Sequence, residues 1–315
     1  MTDANEDAGG RPQPPPVPPL PVPPAPPAPP EFLGDAVPPA LTAPSPPAVA
    51  PAPAAPTTGA TIEPPASAAS PATVVGIDIG GTGIKGAPVD LELGGFASER
   101  VRIPTPHPAT PEAVAGVVAQ VVAQLGVPGP IGITLPAVVR AGIVKTAANI
   151  DPAWIGTDAV DVLGSATGRT VAVVNDADAA GVAEMRFGAG KGVGGLVMMV
   201  TLGTGIGTAM FVDGALVPNT ELGHLPLKGG DAEQYAAESV REAEDLTYKQ
   251  WAKRLQKYLR LVERLVWPEL IVIGGGISKK ADRFLPHIEL DTPIVPAQLH
   301  NDAGIVGAAL FAPPD

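Results

Sequence analysis

Two hydrophobic rhythms run through residues 73–315. Short β-branched runs at 73–79, 89–96, 98–103, 130–135 and 171–175 have strand length and end at glycines, prolines or polar residues. A weaker run covers 139–145. Residues 111–125 and 159–167 instead have the longer spacing and small apolar residues of helices. The grammar then repeats. Strands are predicted at 195–202, 207–212, 215–217 and 270–273, and helices at 231–243, 247–266 and 304–311. In 247–266 the apolar stripe is Trp251, Leu255, Tyr258, Leu259, Val262, Leu265 and Val266, with Lys249, Lys253, Lys257, Arg260 and Arg264 opposite. Alternating strands and helices predict an α/β fold.

Residues 1–72 follow neither rhythm. Of the 41 prolines, 24 fall in residues 1–71. Proline lacks a backbone donor and steers the preceding residue away from helix. Such a tail favours polyproline II and disorder, and it leaves the core to residues 73–315. Its PxxP spacing admits docking to an SH3-like or WW-like domain, but composition favours a solvated spacer. A signal peptide and a membrane-spanning run are both absent from the pattern, so a cytoplasmic protein is expected.

Charge and cysteine content narrow the chemistry. The net charge is −12 at pH 7, and the sequence holds no cysteine. A globally acidic chain argues against nucleic acid as partner. Disulfides, catalytic thiols and cysteine-ligated zinc are excluded.

Three predicted strands end in glycines: Gly80-Gly81-Thr82-Gly83, Gly203-Thr204-Gly205-Ile206-Gly207 and Gly274-Gly275-Gly276. Glycine lets backbone N–H groups approach an anion, and three such loops predict a phosphate-handling cleft. None has P-loop or dinucleotide-fingerprint spacing. In the first, Asp78 could hold a magnesium ion through water, Thr82 could donate to phosphate and Lys85 supplies charge. A plain β-hairpin with a solvated lysine is the competing reading. Likewise Asn175-Asp176, at a strand end, suits either a catalytic carboxylate or a helix cap.

The run from Asp78 to Lys85 resembles the first phosphate loop of the actin/hexokinase superfamily in its ROK form. Residues 201–207 resemble the second loop, and 273–278 the third. The resemblance spans residues 73–312. Segments at 146–150, 221–225, 251–255 and 292–297 are similar to the polyphosphate-using branch of that family. It implies a two-lobed fold, with residues 73–176 and the terminal helix 304–312 forming one lobe and 177–303 the other.

For the site, the resemblance implies Asp176 as catalytic base and Asn149, Asn175, Glu221, His224 and Glu233 as sugar ligands. Phosphates fall to Asp78, Gly80, Gly81, Thr82, Gly83, Lys85, Gly203, Thr204, Gly205, Gly275, Gly276 and Lys279. The expected cofactor is Mg2+ at Asp78, and the expected substrates are glucose, inorganic polyphosphate and ATP, in a homodimer. The family's usual cysteine-rich zinc motif has no counterpart at residues 227–233, so no structural zinc is expected. Ala137 stands where the family usually has glycine. Two rival expectations are a strictly ATP-dependent kinase for glucose, mannose or an N-acyl sugar, and a sugar-sensing repressor. The second would need a helix-turn-helix, which the proline-rich residues 1–72 cannot supply.

Overall fold

The computed structural model describes residues 73–314 apart from Asn149. The readings of the proline-rich tail and of Asn149 therefore lie outside the described residues. The chain opens with β1 (Thr73–Gly80), β2 (Gly83–Asp90), β3 (Gly95–Phe96) and β4 (Val101–Ile103). Helix α1 (Pro111–Leu125) leads to β5 (Ile131–Leu135) and a small hairpin of β6 (Val139–Arg140) and β7 (Ile143–Val144). Then come α2 (Ala159–Thr167) and β8 (Val171–Asn175). The first sheet has the order β3-β2-β1-β5-β8, with β4 also on β2.

Local chemistry sets these ends. The Thr110 hydroxyl accepts from the Ala113 N–H at 3.3 Å, Pro111 takes the first helical position, and Gly126 closes α1 at φ 64°. The α1 face of Val114, Val118, Val121 and Val122 packs on Val75, Ile77, Ile131 and Ile133.

After α3 (Asp176–Phe187) the second sheet begins with β9 (Leu196–Leu202), β10 (Ile206–Val212) and β11 (Ala215–Val217). A hairpin of β12 (Pro226–Leu227) and β13 (Gly230–Asp231) precedes α4 (Ala232–Ala236), α5 (Glu238–Ala243) and α6 (Tyr248–Val266). The chain finishes with β14 (Leu270–Gly274), β15 (Ile294–Pro296) and α7 (Ala303–Leu310). The sheet order is β11-β10-β9-β14-β15. Trp251, Leu255, Tyr258, Leu259 and Val262 of α6 are buried against Met198, Val200, Ile271 and Ile273. Leu265 departs from the predicted stripe and stays 57% exposed, while the neighbouring Val262 and Val266 pack on the core.

A third apolar cluster joins the sheets. Ala180 and Ala183 of α3 and Ile305, Val306 and Ala309 of α7 pack with Val89, Val197 and Met199. The small residues let backbone meet backbone. A Cβ on Gly132 would lie 1.6 Å from the Ala308 carbonyl oxygen, so only glycine admits α7 this close to β5.

Two sequence expectations change. Residues 89–96 and 98–103 do not form two long strands. The missed strand is β2, whose GIKGAPVD lacks an alternating pattern because nearly all of it is buried. The predicted helix 231–243 breaks at Ala237, whose ψ is 158°. There the Trp251 indole N–H donates to the Ala236 and Ala237 carbonyls. Among the described residues no helix is long and apolar enough to cross a membrane.

Candidate active site

A cleft of about 310 Å³ lies where the two sheets face each other, and all three glycine turns line it. The first turn joins β1 to β2, with Gly80 paired to Gly83 and Gly81-Thr82 at the tip. It is thus a hairpin and a cleft wall at once, since Gly80 and Gly81 face the cavity. Asp78 and Lys85 are register partners on these strands. The Lys85 ammonium donates to Asp78 Oδ2 at 3.2 Å, and the buried Thr134 hydroxyl donates to Oδ1 at 2.9 Å. The Thr105 hydroxyl fixes the turn by donating to the Gly80 carbonyl.

The second turn, Gly203-Thr204-Gly205, links β9 to β10. Ser239 pins it, with its N–H on the Gly203 carbonyl at 3.0 Å and its hydroxyl on the Thr204 carbonyl at 2.6 Å. The third turn follows β14. Gly275 has φ 80°, and a Cβ there would lie 2.2 Å from the Leu202 carbonyl oxygen. The backbone of Gly275 therefore packs directly on the end of the strand that leads into the second turn, and glycine is obligatory at 275.

Asp176 begins α3 directly after β8 and lines the same cleft. The cap role goes mainly to its neighbour. Asn175 Oδ1 accepts from the Ala177 and Asp178 N–H groups at 2.9 and 3.1 Å, and its amide donates to the Ala137 carbonyl at 3.2 Å. Asn175 lines the cleft with its polar atoms already engaged. Asp176 keeps one weak backbone partner, the Ala177 N–H. Burial pushes its carboxyl up from 3.8 to about 7, the nearby Asp78 and Glu221 charges add to this, and the Ala177 N–H opposes it.

Opposite stand Glu221, His224 and Glu233. His224 Nε2 lies 3.5 Å from Glu221 Oε2. Its Nδ1 lies 3.0 Å from Asp231 Oδ2 and 3.9 Å from Glu233 Oε1. The β12–β13 hairpin returns the chain so that Asp231 reaches His224. Asp231 thereby favours a proton on Nδ1 and orients the ring so that Nε2 points toward Glu221. His224, Asp231 and Glu233 offer one donor atom each within 4.8 Å of the others, a spacing a cation could share. Glu233 Oε2 accepts from the Ile206 N–H at 3.1 Å, which ties this wall of the cleft to the second turn. Burial raises the Glu221 carboxyl, with His224 opposing and Glu233 adding.

Sequence reasoning missed several contributors. Asp231 and Thr134 carry no local motif, and only their partners reveal them. Asp178 is buried and accepts from the Asn219 N–H at 2.8 Å, while Asn219 holds the Val139 N–H and carbonyl through its side chain. This bridge anchors the segment that carries Glu221. Burial pushes Asp178 up to about 6, opposed by the Asn219 N–H.

The expected phosphate group Lys279 does not line the cleft. Lys279 lines a separate hollow with Arg100 and His300. Lys280 lines another, facing Glu238 and Glu242. Arg283 stacks on Tyr248 at 5.6 Å. The cationic face of α6 is partly engaged: Arg254 pairs with Glu244, Lys257 reaches the Tyr235 hydroxyl, and Arg260 donates to the Glu289 carbonyl.

Two facing sheets, glycine turns at strand ends and a carboxylate at the head of a helix define a phosphoryl-transfer fold of the actin/hexokinase kind. The ROK family model matches residues 74–238, and the chain belongs to the ROK family. It is 53% identical over 241 residues to a polyphosphate glucokinase of Mycobacterium tuberculosis, covering 76% of this chain and 91% of that protein. The structure of the inorganic polyphosphate/ATP-glucomannokinase from Arthrobacter sp. strain KM matches with a TM-score of 0.74 and 54% identity, over 76% of this chain and 97% of that one. A ROK family glucokinase from Streptomyces griseus in complex with glucose and AMPPNP matches with a TM-score of 0.66 and 26% identity, over 76% and 99%.

Proposed function

We propose that this chain transfers a phosphoryl group from inorganic polyphosphate, and also from ATP, to the 6-hydroxyl of glucose. The observation that carries the reading is the position of Asp176: it faces the glycine turns across the cleft, with a carboxyl held near neutrality. The identity to polyphosphate-using relatives across residues of the described body supports the donor, and the AMPPNP-bound neighbour supports ATP.

In this reading Glu221, His224 and Glu233 hold the sugar hydroxyls. His224 accepts through Nε2 because Asp231 occupies Nδ1. As the sugar 6-oxygen bonds to the terminal phosphorus, its proton passes to Asp176. The bond to the bridging oxygen breaks, and the shortened polyphosphate or ADP leaves with the electron pair. The step is chiefly positioning and charge stabilisation. Backbone N–H groups of the three turns and Lys85 meet the phosphate charge.

The neighbours' chemistry calls for a divalent metal, and Asp78 fits Mg2+. Such an ion favours one or two carboxylates with waters and phosphate oxygens. Asp78 keeps free lone pairs after its bonds to Thr134 and Lys85. When bound, the ion would neutralise donor charge. Residues 73–176 with α7, and residues 177–303, are proposed to close as two lobes and exclude water that would otherwise hydrolyse the donor.

The test is a coupled assay of purified protein with glucose or mannose against polyphosphate or ATP, each in a separate reaction with Mg2+. Glucose 6-phosphate from polyphosphate supports the reading. Turnover with ATP alone would refute the polyphosphate half of it.

A further inference from the structure

Two hollows of different character lie outside the cleft. On one side Gly203, Thr204 and Gly276 border a hollow lined by Glu238 and Glu242, both paired with Arg241, and by Lys280. On the other side a hollow of about 340 Å³ is lined by Arg100, Lys279 and His300, with one acid, Asp302.

Contacts tie the flanks of the cationic hollow to two of the three turns. Arg102 of β4 is the register partner of Lys85, and its guanidinium donates to the Thr82 carbonyl at 3.0 Å. A Cβ on Gly83 would lie 2.8 Å from that guanidinium, so Arg102 lies directly over the first turn. Arg100 is two residues back along the same strand edge. From the other sheet, the Ser278 hydroxyl donates to the Gly275 carbonyl at 2.8 Å and lies 3.4 Å from His300 Nδ1. Lys279 follows at once. Cations from both sheets therefore continue outward from the turns, on a chain whose net charge is −12.

Among the described residues Arg100 is held only by Asp302, at 3.3 Å, and both side chains are substantially exposed. Exposed pairs of this kind are weak and exchange readily for a phosphate oxygen. A donor whose charge ends at the third phosphate has no use for cations this far out. A long polyanion does, and the side lined by Glu238, Glu242 and their partner Arg241 offers it less net positive charge.

We propose that Arg100, Arg102 and Lys279 form a track for the non-reacting phosphates of long-chain polyphosphate, running outward between β4 and the turn at residues 300–302. The inference rests on the polyphosphate reading above and adds where the polymer lies and which residues separate it from ATP.

The experiment compares wild type with the double variant R100Q/R102Q on three donors: long-chain polyphosphate, tripolyphosphate and ATP. Melting temperature is measured alongside. The expected result is a KM for long-chain polyphosphate raised about tenfold, with its salt dependence weakened by about one unit of log–log slope per arginine removed. Tripolyphosphate is no longer than the phosphate chain of ATP, so its KM and that of ATP should shift less than twofold. In the single variant D302N, which frees Arg100, the KM for long-chain polyphosphate should fall.

An equal loss on all three donors would mean that the arginines only shape the first turn, and would overturn the track. So would an unchanged KM for long-chain polyphosphate. If wild type itself uses ATP but neither polyphosphate, the polyphosphate reading fails first, and the wild-type arm alone reveals it.

Discussion

Replacing Asp176 by Asn removes a carboxylate that the fold holds at a cost. Its pKa is ordinarily 3.8 and stands near 7 here, because burial and the Asp78 and Glu221 charges oppose ionisation. A folded-state value above the unfolded one means that the protonated form suits the fold. Wild type therefore loses stability as pH rises from about 4 to about 7, and no further from this group above that. At about 1.4 kcal/mol per pKa unit the ceiling is about 4 kcal/mol. Partial solvation of the cleft lowers it, so we expect D176N to gain about 1–3 kcal/mol at pH 8. For a body of this size that raises the melting temperature by about 3–8 °C. Asparagine can keep the bond from the Ala177 N–H, so the gain should shrink toward zero near pH 4.

The assay is thermal melting of wild type and D176N from pH 4 to 9, without substrate and with chelator. Glucose phosphorylation is measured on the same preparations. Loss of the base should lower kcat by about 10²–10⁴. A variant that melts with wild type at pH 8 would refute the strained carboxylate, and one that retains near-normal turnover would refute its role as base.

Three further outcomes follow from named contacts. D231N should raise KM for glucose about tenfold with kcat and donor KM little changed, and the His224 tautomer, read by 15N NMR, should shift away from Nδ1–H; an unchanged tautomer would contradict the positioning role. G275A should lose activity on both donors and destabilise by about 2 kcal/mol or more, since φ 80° and the Leu202 carbonyl both exclude a side chain; an active G275A would refute the packed turns. N219A frees the Val139 N–H and carbonyl, so it should raise KM for glucose several-fold through the Glu221 segment, with little effect on KM for ATP; a selective effect on ATP would misplace that bridge.

Much of this was legible in the sequence, for local reasons. Helix α1 carries its own punctuation in Thr110, Pro111 and Gly126, so its bounds are the predicted ones. Strand β8 ends at the predicted Asn175, because the residue that stops the strand also caps α3. Long-range features were not legible. Strand β2 is built from glycine, alanine and proline packed between neighbours, and period two vanishes when both faces are buried. The break at Ala237 is set by Trp251, more than a turn of chain away in α6. Asn175 and Asp176 look interchangeable as neighbours, and only the hydrogen bonds assign the cap to one and leave the other facing the cleft. Asp231 becomes visible only when the hairpin folds it back onto His224. The polyphosphate track is of the same kind: Arg100 and Lys279 are far apart in sequence and share one hollow.

The central claim is that this cleft moves a phosphoryl group from a phosphate polymer to the 6-oxygen of glucose. The most direct measurement is 31P NMR of the protein with Mg2+, glucose and polyphosphate, without nucleotide. The account predicts a phosphomonoester signal, split by the two hydrogens on carbon-6, that grows as the polymer signal declines. Growth of free orthophosphate alone, or an unchanged spectrum, would contradict it.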